Sequence, residues 1–219
     1  MRPAARIHRI TRCLLLGAAL CVPPAWSQSR QWWPELDLTL TCGRLNLLVP
    51  ALTRLDARLP NPQFVAAGAL GTVSLHRNLS VSAGYLFADL PQTDQVAHVP
   101  LVAITPSGSF RRWSFSDINR FERLLAYGSE PYRYRNRPAA DYALGRRRAL
   151  HLYAADEIFF ALSPHRDWNQ NRFQIGAGAV VRRSLRFEAY FLQRSTPGGK
   201  ETSAFGTILT VALKTRRSS

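Results

Sequence analysis

"LRFEAYFLQR", Leu185 to Arg194, is the stretch from which the fold can be read. Leu185, Phe187, Ala189 and Phe191 share one parity, and Arg186, Glu188 and Tyr190 share the other. Side chains alternate across a β-strand, so this is a strand with one apolar and one charged face. "NRFQIGAGAVV", Asn171 to Val181, repeats the pattern, with Phe173, Ile175, Ala177, Ala179 and Val181 opposed to Arg172, Gln174, Gly176 and Gly178. "WWPELDLTLT" sets Trp32, Leu36, Leu38 and Leu40 against Glu35, Asp37, Thr39 and Thr41. "FGTILTVAL" sets Phe205, Leu209, Val211 and Leu213 against Gly206, Thr210 and Ala212, with Ile208 an exception. In "PYRYRNR", Arg133, Arg135 and Arg137 alternate with Tyr132 and Tyr134, and Pro138 just beyond predicts a bulge or the strand's end.

These segments run to about ten residues, the length a tilted membrane strand needs. Short connections (Cys42-Gly43, His76 to Asn78, Gly145 to Arg148, Arg182 to Ser184) alternate with longer polar ones (Pro60 to Gln63, Ala88 to Gln95, Ser163 to Gln170, Ser195 to Thr202). Short turns at one end and long loops at the other are the habit of outer-membrane barrels. The segments number about eleven, and even closure with both termini on one side means that either one strand is miscounted or a segment near residues 96 to 113 splits. The expected fold is therefore all-β: an antiparallel up-and-down transmembrane β-barrel of ten to twelve strands, with twelve favoured. Trp33, Tyr85, Phe87, Trp113, Tyr132, Phe159, Phe160, Trp168 and Phe191 mostly fall near segment ends, where interfacial girdles place aromatic residues.

The N-terminus fits export. Arg2, Arg6, Arg9 and Arg12 precede the short apolar run "CLLLGAALCV", then Pro23, Pro24 and the small-x-small site "AWS". Residues 1–27 are expected to be a cleaved secretory signal peptide, with 28–219 a single barrel domain. Cleavage removes four arginines and no acid, leaving 25 basic residues against 14 acidic ones, a net charge of +11. Only Cys42 remains of the three cysteines, so no internal disulfide is expected.

The ordered set "WPELDLTL", "LDAR" (Leu55 to Arg58), "LSVSAGYLF" (Leu79 to Phe87), "NRFERL" (Asn119 to Leu124), "YRYR", "DEIFF" (Asp156 to Phe160), "NRFQIGAG" and "LRFEAYFLQ" resembles a group of proteobacterial outer-membrane β-barrels catalogued as a domain of unknown function. The resemblance spans residues 32 to 214. It implies an outer-membrane barrel and carries no established activity or catalytic residue. The chain departs from common outer-membrane practice at its end. The last strand finishes near Leu213 and continues "KTRRSS", where an aromatic residue usually stands.

With apolar residues toward lipid, the alternate parity points into the lumen. It comprises Glu35, Asp37, Arg54, Asp56, Arg58, Arg120, Glu122, Arg133, Arg135, Arg137, Glu157, Arg172, Arg186 and Glu188, eight arginines and six acids. A near-balanced set predicts a lumen mostly plugged by its own ion pairs. A narrow pore with slight anion preference is the alternative. Arginines in connections (Arg111-Arg112, Arg146 to Arg148, Arg182-Arg183) suit lipopolysaccharide or phospholipid phosphates, or solvent. Expected partners are outer-membrane lipid, lipopolysaccharide and the barrel-assembly machinery. Nucleic acid is not expected, because the arginines form no basic helix or groove.

Signals for catalysis are few. His151 with Glu157 and Ser80 or Ser82 could make a lipid-hydrolase triad, while His76, His98 and His165 lie in connections or a weaker segment. No metal-ligand spacing, dinucleotide loop or nucleophile-elbow motif is present, so no metal, cofactor or catalytic residue is assigned. Gly176 and Gly178 are expected to leave room inside the barrel or to relieve its curvature. A soluble ligand-binding barrel of the lipocalin kind remains a further alternative; it would place the apolar parity inside.

Overall fold

The computed structural model describes residues 30–56, 58–59, 61–126, 131–145, 149–162 and 167–214. The expected signal peptide, Arg146 to Arg148, His165 and the tail after Lys214 lie outside the described residues. The fold is all-β, with twelve strands: β1 (Arg30–Cys42), β2 (Leu45–Asp56), β3 (Phe64–His76), β4 (Leu79–Leu90), β5 (Gln95–Phe110), β6 (Trp113–Arg123), β7 (Leu125–Ala126), β8 (Tyr132–Leu144), β9 (Leu150–Ala161), β10 (Asp167–Arg182), β11 (Leu185–Ser195) and β12 (Glu201–Lys214).

Eleven of the twelve close into a barrel, in the ring order β4-β3-β2-β1-β12-β11-β10-β9-β8-β6-β5 and back to β4. The twelfth, β7, is two residues long. It continues the β6 ladder on β5 in unchanged register, since Leu101 pairs with Glu122 and His98 with Leu125. Between the two, the Leu124 amide turns aside to the Pro131 carbonyl at 2.9 Å. The break thus falls at Leu124 and not within residues 96 to 113, where β5 runs unbroken for 16 residues.

Closure is odd, not even. A meander reverses direction at each turn, so an odd ring must contain one parallel pair. That pair is β1 with β12, registered from Arg30↔Ser203 to Thr41↔Lys214. All other pairings are antiparallel. β1 therefore starts at the end carrying the longer connections, and β12 finishes at the end carrying the tight turns.

The tight turns hold Gly43-Arg44, Arg77-Asn78, Arg111-Arg112 and Arg183-Ser184. Two-residue hairpins favour positive φ, which two of these turns use. Gly43 meets that preference at φ 61° without a side chain, whereas Arg111 adopts φ 57° with one. Each of these turns carries an arginine, so the turn end has a basic rim.

The outer wall is apolar. Leu36, Leu38, Val102, Ile175, Leu209 and Leu213 are among its exposed residues. Tyr132 is exposed on this face, as the parity of "PYRYRNR" predicts. A polar island interrupts the wall on β6 and β8. Asn136 Nδ2 donates to Asp117 Oδ1 at 2.6 Å, Asn119 Nδ2 to Asp117 Oδ2 at 3.1 Å, and Tyr134 Oη to Asn119 Oδ1 at 2.5 Å. Pro138 makes neither bulge nor strand end. It keeps register with Asp117, and the β8–β9 ladder lapses at 137–138 and resumes unshifted at Ala139↔Ala155. Neighbouring amides point alternately to the two flanking strands, so a missing N–H interrupts one ladder only.

Candidate functional site in the barrel interior

One contact crosses the barrel. The Arg172 guanidinium of β10 lies 5.4 Å from the Trp33 ring of β1, although β11 and β12 separate those strands along the wall. Only the enclosed space lets them meet.

Six of the expected residues form one ion-pair cluster nearer the loop end. Glu122 accepts from Arg133 Nε at 2.7 Å and also from Arg133 Nη2, and from Arg135 Nη1 at 2.7 Å and Arg120 Nη1 at 3.4 Å. Arg135 reaches on to Glu157, with Nη2 at 2.5 Å and Nε at 3.1 Å. Arg172 Nη1 approaches the other Glu157 oxygen at 3.5 Å. The Glu122 side chain is completely buried. Arg135 thus bridges two carboxylates with its planar fork, a geometry that lysine could not reproduce.

Four arginines against two carboxylates leave excess positive charge, and aromatic faces absorb it. Phe159 lies under Arg135 at 4.5 Å, Arg172 at 4.4 Å and Arg133 at 5.4 Å. Trp33 lies under Arg54 at 4.2 Å, and Phe64 covers Arg54 from another side at 4.4 Å. A desolvated cation–π contact contributes about 2 kcal/mol. Trp33 and Phe159 are therefore not girdle residues. They are buried inside at 7% and 0% exposure and join the arginines into a layer across the barrel. Their parity already implied it: Trp33 shares the parity of Glu35, and Phe159 that of Glu157.

The remaining expected residues separate. Arg186 Nε donates to Glu188 Oε1 at 2.7 Å in a second, more open pair. Arg137 Nη2 makes a 3.4 Å bond to Gln174. Glu35 and Asp37 sit inside on β1 with no salt bridge among the described residues, and Asp37 Oδ1 is buried without a hydrogen-bond partner. Asp56 is buried but serves the loop end, accepting from the Arg58 amide at 3.0 Å and from Gln63 Nε2 at 3.4 Å. That hydrogen bond turns the chain out of β2. Arg58 lies beyond the strand, exposed, and not in the interior.

Small residues make room for large ones. A Cβ on Gly176 would meet the Tyr153 ring at 2.6 Å, one on Gly178 would enter the His151 ring, and one on Gly206 would enter the Tyr190 ring. Ile208, the parity exception, packs on the inner apolar cluster of Trp33, Tyr190, Leu192 and Ala204. Gly206→Ala is expected to destabilise the barrel by about 1–3 kcal/mol through overpacking. Urea unfolding followed by tryptophan fluorescence reads the shift, and Tyr190→Leu should restore most of it.

His151 is buried beside Arg186 Nη2 at 2.9 Å, Glu188 Oε1 at 3.6 Å and Asp141 Oδ2 at 3.7 Å. Its carboxylate neighbours are Asp141 and Glu188. Glu157, six residues along the same strand, is roughly 20 Å away at 3.3 Å per residue. Glu157 is occupied by Arg135 and Arg172, and Ser82 Oγ bonds Thr72 Oγ1 at 2.8 Å, so the triad is not assembled. His98 lies on the outer wall, hydrogen-bonded to Tyr85 Oη and edge-on to Phe87.

A family model described as "Protein of unknown function (DUF2490)" matches residues 30–203. No curated protein matches the sequence.

Proposed function

We propose that this chain, which belongs to the DUF2490 family of proteins of unknown function, is an outer-membrane β-barrel with a structural role, exported by its N-terminal segment and sealed by its own interior. The carrying observation is a closed sheet with an apolar wall outside and arginine–carboxylate pairs inside. In lipid every backbone polar group needs an internal partner, and a closed barrel supplies one. A lipocalin-like barrel would reverse the two faces.

Sealing follows from the transverse layer. Buried ion pairs backed by aromatic rings leave guanidinium planes no freedom to swing aside. The same layer would give a narrow anion-preferring passage only if it opened. The basic rim at the turn end suits lipid phosphates, whether of phospholipid or lipopolysaccharide. No catalytic step is proposed, since His151 is held by an arginine and two carboxylates.

The protein should fractionate with outer membranes and migrate differently on gels before and after boiling. In planar bilayers it should show no discrete conductance steps. A soluble periplasmic pool without a heat-dependent shift defeats the membrane assignment, and regular channel steps from the intact protein defeat the seal.

A further inference from the structure

Toward the turn end lies a cavity of about 770 Å³, within the size range of small-molecule sites. It is lined by two chemically different walls. Ser107 and Ser109 of β5 stand opposite Ser116 and Ser114 of β6 in register, with the Ser109 and Ser114 hydroxyl oxygens 3.3 Å apart. Arg137 and Asp141 stand beside them on β8, where Asp141 pairs with Ser114, and Arg186 and Glu188 face them from β11, with Arg77 at the mouth.

We propose that this cavity binds a phosphorylated polyol, the chemistry shared by soluble sugar phosphates and glycerophospholipid headgroups. The proposal rests on the sealed-barrel reading, which makes the cavity blind and the ligand held, not conducted. Arg137 is the central group. It makes one long hydrogen bond, to Gln174, and no salt bridge among the described residues. Glu35, Glu157 and Glu188 act on it only at longer range. A guanidinium in a confined interior is costly without an anion, and phosphate fits its planar fork. Arg186 has one edge on Glu188 and His151, yet its side chain stays 46% exposed. Arg77, Arg137 and Arg186 face Asp141 and Glu188, so the cavity keeps one positive charge in excess.

The serine wall selects more than charge. Hydroxyls both donate and accept, as do the hydroxyls of a polyol. Asp141, 35% exposed and 3.7 Å from His151, offers a carboxylate to a ligand hydroxyl. A bare anion would use the arginines and leave the serines idle. An apolar ligand would use neither.

The test is calorimetric titration of the detergent-solubilised, heat-modifiable barrel with glucose 6-phosphate, glucose and inorganic phosphate. Glucose 6-phosphate should bind at least about tenfold more tightly than either of the others, a difference of one good contact set. Arg137→Gln and, at the exposed turn, Arg77→Gln should each weaken it about tenfold. Ser114→Ala/Ser116→Ala should weaken glucose 6-phosphate while leaving inorganic phosphate unchanged. Competition by phosphatidylglycerol micelles would assign the group to a lipid headgroup, and absence of competition to a soluble ligand. No binding, equal affinity for all three probes, or indifference to both arginine variants overturns the proposal. Failure of the heat-dependent shift would instead strike the barrel assignment beneath it.

Discussion

Glu122→Gln is expected to destabilise the barrel by about 3–5 kcal/mol, the cost of breaking a buried charge cluster from one side. Glu122 is the most connected group in the molecule's interior. Three guanidinia converge on its two oxygens, and its side chain has no exposed surface. A glutamine keeps the shape but removes the charge and presents two donors where only acceptors fit. Arg120 and Arg133 would lose their carboxylate, while Arg135 would keep Glu157. In urea, with a slope of roughly 1–3 kcal/mol per molar, the midpoint should fall by on the order of 2 M. Trp33, beneath Arg54 and Arg172, provides an internal fluorescence reporter. Two controls fix the interpretation. Glu188→Gln should cost less than about 1 kcal/mol, because its partner Arg186 is half exposed and solvent screens the pair. Glu122→Leu/Arg133→Met removes charge from both sides and should recover part of the loss. If Glu122→Gln moves the midpoint no more than Glu188→Gln does, the cluster does not hold the interior together.

Alternation carried most of what was readable in the sequence. The parity of Glu122, Arg133, Arg135, Glu157 and Arg172 identifies the inner face, and the structure joins all five with Arg120 in one cluster. The same parity placed Trp33 and Phe159 inside, but a preference for aromatic girdles obscured it. What a single strand cannot reveal is contact across the barrel. Nothing local tells Arg172 that it will meet a ring three strands away, whereas Arg54 meets Trp33 and Phe64 on the strands that flank it. Strand ends are a separate matter, set here by a contact between residues two apart. Arg58 follows the parity of Arg54 and Asp56, yet one hydrogen bond from its amide to Asp56 ends the strand first. The eleven segments were legible, but the expectation of even closure overrode that count; the parallel seam that closes the odd ring joins the first and last strands of the sequence. The outer polar island of Asp117, Asn119 and Asn136 breaks the apolar parity on two strands at once. Its logic lies in the β6–β8 register, which lets each polar group satisfy another.

Removing the layer without unbalancing it should turn the sealed barrel into a channel. Arg133, Arg135, Glu122 and Glu157 all changed to serine take away two positive and two negative charges, so net charge is unchanged and no carboxylate of the cluster is stranded. Arg120 and Arg172 remain on the inner wall, Arg172 still against Trp33. Serine is too short to refill the space of an arginine, and its hydroxyl favours water over collapse. The vacated layer connects the turn-end cavity with the loop end, where the seal had been. The variant should lose stability through lost packing, so proof of folding comes first, from the heat-dependent gel shift. In planar bilayers it should then show discrete steps where the intact protein shows none. A potassium chloride gradient should reveal anion preference, since the exposed ring of fixed charge is now arginine. Truncating only Arg133 and Arg135 is the sharper electrostatic comparison: it leaves Arg120 on Glu122 and Arg172 on Glu157, a neutral set, so any channel it forms should lose the anion preference. A folded four-serine variant that stays silent would show that something other than this layer closes the barrel. Conducting variants with the same ion preference would show that these charges do not face the permeation path.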